Sequence, residues 1–284
     1  MGILTNRIIW GDNGVLKDMS VELNNPNAGT FTTALVAAQD YIYIGSEWPF
    51  NQRYIRMSAV NSAASTISVS AWDGDEWVAC VDVIDETKVS TATLAQNGYV
   101  SWKVDKDESW SRDDTDDMTG SGLETMEIYD LYWVRISFSA DLSATTAWDY
   151  AGYKFNTDSD LGALYPQLNT TAVKTQFESG KTSWETQELH VAQIILRDLQ
   201  SDNRFRQLVS DNQILDPSQL VHASVYRLAA LIYSEFGENY ADDLANAEKG
   251  YHRSISVALK IDVDGDARLD AHEFIVRTSQ VYRR

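Results

Sequence analysis

A chain of 284 residues with 44% hydrophobic content is long enough for two domains, each with a core of its own. Its 42 acidic side chains against 23 basic ones, net −19, repel phosphate and exclude non-specific nucleic-acid binding outside a local patch. The single cysteine, Cys80, excludes an intrachain disulfide, and its setting in Trp77-Val78-Ala79-Cys80-Val81 reads as strand rather than nucleophile.

No apolar run has the length of a membrane span, and the first residues lack the basic-then-apolar layout of a secretory leader. Synthesis in the cytoplasm is therefore expected, with no membrane partner. The charge is uneven: residues 1–160 carry 25 acidic and 10 basic side chains, residues 161–284 carry 17 and 13.

In chain order, residues 1–30 are polar and read as an arm, with Ile8-Ile9-Trp10 either an edge strand or a plug for a neighbour. From 31 to 155 the pattern has period two. Tyr41–Gly45, Tyr54–Met57, Thr66–Trp72, Glu76–Val81, Tyr99–Trp102 and Tyr132–Phe138 are short, β-branched or aromatic, and separated by turn residues. Asp73-Gly74-Asp75 is a hairpin signal. No crossover helix fits between the strands, so an antiparallel β-sandwich is predicted. The acidic stretch Asp105 to Asp117 reads as a solvated loop, with a cation or basic-partner site as the alternative.

Residues 156–183 have no clear period and read as a linker. From 184 to 284 the period becomes helical. One helix is predicted from Trp184 to about Gln200, a central one from Pro217 to Phe236 capped by Asp216 and closed by Gly237, and a third from about Ala241 to Lys260. Leu189, Leu196, Leu220, Leu228, Leu231, Ile232, Leu244, Tyr251 and Ile255 are the predicted packing positions of a small α-helical bundle. Gly250 inside the third helix implies a close contact there. The central stripe is wider than two intrachain neighbours cover. Part of it, or the segment near Trp184, is thus expected at a subunit seam.

No nucleotide-binding glycine loop, zincin histidine pair or cysteine cluster occurs, and no catalytic residue is predicted. His190, His222, His252 and His272 read as surface or capping residues. Trp48, Trp72 and Trp110 lie near loops and are the candidate exposed aromatics for stacking on sugars. The sharpest motif is Asp262-Val-Asp264-Gly-Asp266-Ala-Arg-Leu-Asp270-Ala-His-Glu273, which follows the calcium-loop register. Asp262, Asp264, Asp266, Asp270 and Glu273 would be the ligands. Ala267 stands where that loop turns sharply on glycine. We expect a structural turn, with weak or absent calcium and no other cofactor.

Over residues 184 to 275 the chain resembles a tailed-bacteriophage head-to-tail adaptor, also called a connector or neck protein. The resemblance rests on the helix Trp184 to Gln200, on Gln213-Ile-Leu-Asp-Pro-Ser-Gln-Leu220 leading into Arg227-Leu-Ala-Ala-Leu-Ile-Tyr233, and on Ala247-Glu-Lys-Gly-Tyr251. It implies a non-enzymatic protein of the virion neck, forming a ring commonly of about twelve copies. Such a ring sits below the portal protein, docks tail or neck proteins and extends the channel through which genomic DNA passes without specific binding. The amino-terminal half resembles a discoidin-like, galactose-binding-type jelly roll, through Tyr43-Ile-Gly45, Pro49-Phe-Asn51, Ser70–Trp77 and Tyr132–Ile136. A fold hosts unrelated functions. This domain is therefore expected either to contact capsid, portal or tail, or to make the chain a carbohydrate-binding module.

Overall fold

The computed structural model describes residues 6–28, 30–32, 34–105, 110–202, 208–256 and 259–269. The chain divides between Gly152 and Tyr153 into two units, the loop Asp264–Arg268 grouping with the first.

The first unit holds twelve described strands in two antiparallel sheets and one short helix, α1 (Ser20–Leu23). One sheet runs in the order β2 (Val15–Asp18), β1 (Asn6–Asp12), β4 (Tyr41–Ser46), β11 (Leu131–Phe138), β6 (Ile67–Trp72), β7 (Trp77–Ala79), with β10 (Arg112–Asp113) also on β11. The other runs β3 (Phe31–Thr32), β12 (Ala147–Gly152), β5 (Gln52–Ala59), β9 (Gly98–Lys103), β8 (Val81–Asp85).

Alternation explains the core of this unit. Ile42, Ile44, Val69, Ala71, Val134 and Ile136 of the first sheet share a buried cluster with Ile55, Met57, Val100, Trp102, Trp148 and Ala151 of the second, a sandwich-like arrangement. The opposite face of the first sheet is also covered. Ile9, Tyr43, Trp72, Leu131 and Trp133 make a second cluster with Met118 and Leu123, from the loop after β10. Gly45 belongs to that packing, since a Cβ there would come within 2.7 Å of the Trp133 ring.

Two expectations change here. Residues 6–12 are no arm: β1 pairs with both β2 and β4, because Ile8 and Ile9 have a buried surface to fill on each face. The loop Asp105 to Asp117 is only partly a solvated run, since β10 pairs within it. The Asp73–Asp75 hairpin forms as read. The Asp73 carboxylate accepts the N–H groups of Asp75 (2.8 Å) and Glu76 (2.7 Å), which lower its pKa. The Cys80 thiol is pushed up to about 12 by burial, consistent with an inert strand-edge residue.

The second unit is helical in its described residues: α2 (Asp158–Leu164), α3 (Thr171–Phe177), α4 (Glu185–Ser201), α5 (Val221–Phe236) and α6 (Ala241–Ser254). Asp216 caps a 3-10 turn, Pro217–Leu220, by accepting the Ser218 N–H (3.0 Å), and α5 follows directly. Gly237, at φ 80°, ends it. Leu189 is fully buried; Leu228 and Ile232, also fully buried, share one core with the buried Leu196, Leu220, Tyr251 and Ile255, and Leu231 and Leu244 pack half-buried against it. The Tyr251 hydroxyl donates to Asp198 (2.8 Å), joining α6 to α4. Gly250 has its expected close contact, because a Cβ would sit 2.5 Å from the Tyr226 ring where α6 crosses α5.

Residues 156–183, expected as a linker, carry α2 and α3 and bury Leu161 and Leu168 beside Trp184. The Thr157–Asp160 capping box starts α2. Asp158 then ties the region together, accepting the Trp184 backbone N–H (2.9 Å) and the Lys174 ammonium (2.6 Å). Helices α2, α3, α4 and α6 all contact α5. Its wide apolar stripe is therefore met within the chain, and the inference that it must reach a neighbouring subunit loses its premise. Among the described residues no helix is long and apolar enough to cross a membrane.

Candidate functional site

The acidic loop brings three of its five predicted ligands together. Asp262, Asp264 and Asp266 each offer a carboxylate oxygen, all within 4.8 Å of one another. Asp262 is buried and the other two are exposed. The entry is fixed by a reciprocal pair: the Asp262 N–H donates to the Gln213 carbonyl (2.9 Å) and the Gln213 amide to the Asp262 carbonyl (2.8 Å). Gly265 at φ 79° and Ala267 at φ 61° turn the backbone through the left-handed region, and the Arg268 N–H closes onto Asp266 Oδ1 (2.8 Å). Asp270 and Glu273 lie outside the described residues, as does His272.

Ala267, sixth in the register read from the sequence, thus takes a left-handed conformation without glycine's freedom, at a cost of about 1 kcal/mol. Three hard oxygens suit calcium or magnesium in kind, though calcium needs six to eight. We expect titration calorimetry on chelator-treated protein to give calcium affinity weaker than low micromolar. Low-micromolar or tighter binding, abolished by Asp264→Ala, would overturn the reading as a structural turn.

The aromatic candidates fare differently. Trp72 is only 1% exposed, and its indole N–H donates to Asp113 (2.9 Å) beneath the loop after β10, so it is no stacking platform. Its position beside a hairpin suggested exposure, but the other side of the sheet is roofed. Trp110 is half-buried, donating to the Trp133 carbonyl (3.2 Å) and packing on Phe50 and Tyr132. Trp48 is half-buried too. His190, His222 and His252 are exposed, as expected.

Sequence reasoning missed a buried polar cluster in the second unit. Glu188 of α4 is fully buried, with Lys154 Nζ 2.9 Å from one carboxylate oxygen and the Asn156 amide donating to the other (3.4 Å). Asn156 in turn accepts from the Ser224 hydroxyl of α5 (2.5 Å), and Lys154 also lies 3.7 Å from Glu185. Burial pushes the Glu188 carboxyl up to about 7, against the opposing pull of Lys154. Ser224 faces an amide that cannot take its proton, so the cluster is not a nucleophile and base. The signal was present in the sequence, since position 188 shares a helix face with Ala192, Ile195 and Leu199.

No protein-family model matches the chain, and comparison with curated proteins and with solved structures found no match.

Proposed function

We propose that the chain is a non-enzymatic structural protein of a tailed-phage neck, its second unit an adaptor-type helical bundle and its first a discoidin-like jelly roll. One observation carries the reading: the three segments that resemble an adaptor fall on α4, α5 and α6, which share one core around α5. A ring of copies, about twelve, would sit between portal and tail proteins, and a ring interface joins two different faces of each subunit.

Because α5 is covered within the chain, the proposed seam uses exposed positions rather than the stripe itself. The acidic start of α6, with Asp242 and Asp243, is one such surface. The net charge of −19 suits a channel through which DNA slides, where a field of arginines would hold it. Purified chain mixed with portal rings should co-sediment with them, and failure to do so under every assembly condition would count against the proposal.

The second reading, a carbohydrate-binding module using Trp48, Trp72 and Trp110, loses Trp72 to burial and keeps two half-buried rings.

A further inference from the structure

The dipeptide Asn-Gly occurs twice in the chain, at Asn13-Gly14 and at Asn97-Gly98, and the fold gives the two opposite settings. The pairing matters chemically because glycine has no Cβ to shield its own nitrogen, which leaves that nitrogen able to reach the Cγ of the asparagine before it. Whether it does so depends on how freely the backbone moves and how firmly the side-chain amide is held.

Asn13 and Gly14 are the central pair of the hairpin joining β1 to β2, with Asp12 paired to Val15 across them. Their φ angles, 45° and 84°, are both left-handed, as a two-residue type I′ turn requires. Residues 12–15 are all exposed. Strand β2 has four residues, lies at the edge of its sheet and buries none of its side chains. Opening this end of the hairpin therefore uncovers little apolar surface and breaks few hydrogen bonds, which makes it a low-cost local fluctuation. The Asn13 backbone N–H donates to Asp40 Oδ1 (3.1 Å), but its side-chain amide has no hydrogen-bond partner among the described residues.

Asn97 has the same neighbour and the opposite surroundings. Its side-chain oxygen accepts the Met57 N–H (2.8 Å), so the amide is held against β5. Gly98 is buried at the start of β9, paired with Ile55, and a Cβ there would come within 2.7 Å of the Glu86 carbonyl. Moving the Gly98 nitrogen onto the Asn97 side chain would pull β9 away from β5 in the interior of the sheet.

We propose that Asn13 is a site of spontaneous covalent modification, cyclising onto Gly14 and opening to aspartate and isoaspartate, with solvent water as the only co-reactant. The Gly14 nitrogen gives its proton to hydroxide and bonds to Asn13 Cγ, and the Cγ–Nδ2 bond breaks to release ammonia. Water then adds to the cyclic imide. Cleavage of the Cγ–N bond leaves aspartate, cleavage of the bond from the Asn13 backbone carbonyl carbon to the Gly14 nitrogen leaves isoaspartate, and in both cases that nitrogen regains a proton. Either product sets a new carboxylate beside Asp40. Isoaspartate also lengthens the turn by one backbone carbon, which a two-residue hairpin cannot absorb in register, so modification loosens β2 from β1. The site is independent of the neck reading.

The test is peptide mapping by mass spectrometry of the full chain, incubated in mildly alkaline buffer and sampled over time, with isoaspartate told from aspartate by electron-transfer fragmentation. Asn13 should convert about tenfold or more faster than Asn97 in the folded chain, and its rate should rise with hydroxide concentration. Incubation in heavy-oxygen water should leave one labelled oxygen in each product. With the chain unfolded in urea the protection of Asn97 should vanish and the two sites should convert at similar rates. An Asn13 that stays intact, an Asn97 that converts as fast in the folded chain, or a difference that persists in urea would each overturn the assignment.

Discussion

Leu228→Asp should abolish the fold of the helical unit, whereas Leu231→Asp, three residues on, should leave it folded and weakened. Leu228 is fully buried at the middle of α5, among residues of the shared core; Leu231 is half-buried at its margin. Truncating a buried leucine costs about 2–5 kcal/mol, and an unpaired carboxylate in the same place adds several more. That sum rivals the roughly 5–15 kcal/mol by which a domain is stable at all. At position 231 the carboxylate reaches water, and the expected loss is about 1–3 kcal/mol. Helical circular dichroism through a urea titration checks both. Equal behaviour of the two variants would mean that α5 does not present the face described.

The second large effect is a stability that falls as pH rises. Glu188 titrates at about 7 in the folded chain against an ordinary 4.5, so between those values the folded state holds a proton that the unfolded state has released. Stability from this group is fully present below the unfolded value and is lost as pH rises through the folded one, by about 3 kcal/mol in all. The groups facing it are Lys154, Glu185 and Asp158, and the ammonium of Lys154 limits the rise. Glu188→Gln keeps an amide in the place of the protonated carboxyl and should flatten the profile from about pH 4.5 to 7. Thermal melts at stepped pH read this directly. Parallel curves for parent and variant would show that Glu188 does not carry the proton.

The sequence made some of this structure legible and hid the rest for physical reasons. Strands β6 and β9 alternate buried and more exposed positions and were read from that period, whereas β4 and β11, with buried residues on both faces, were read from their β-branched and aromatic content. Strand β12 was not, because Ala147–Gly152 is buried along nearly its whole length and so shows no period. The helices α4, α5 and α6 carry enough turns for the 3.6-residue period to show. The seven-residue α2 and α3 do not, although the Thr157-Asp-Ser-Asp160 box marked the start of one.

Missing those two helices also produced the mistaken linker and left α5 with too few neighbours. Burial by a loop is the least legible feature. Nothing local to Trp72 says that a distant segment closes over it through Met118 and Leu123. The Asp262–Asp266 register was readable because a calcium-type loop is a contiguous motif.

Assembly of the chain into a closed ring is a proposal that the mass of the native particle tests directly. Native mass spectrometry of the full chain, alone and with portal, should yield a closed oligomer of about twelve copies with no open series of larger species. A chain that remains monomeric at every concentration, with portal present, would contradict the claim.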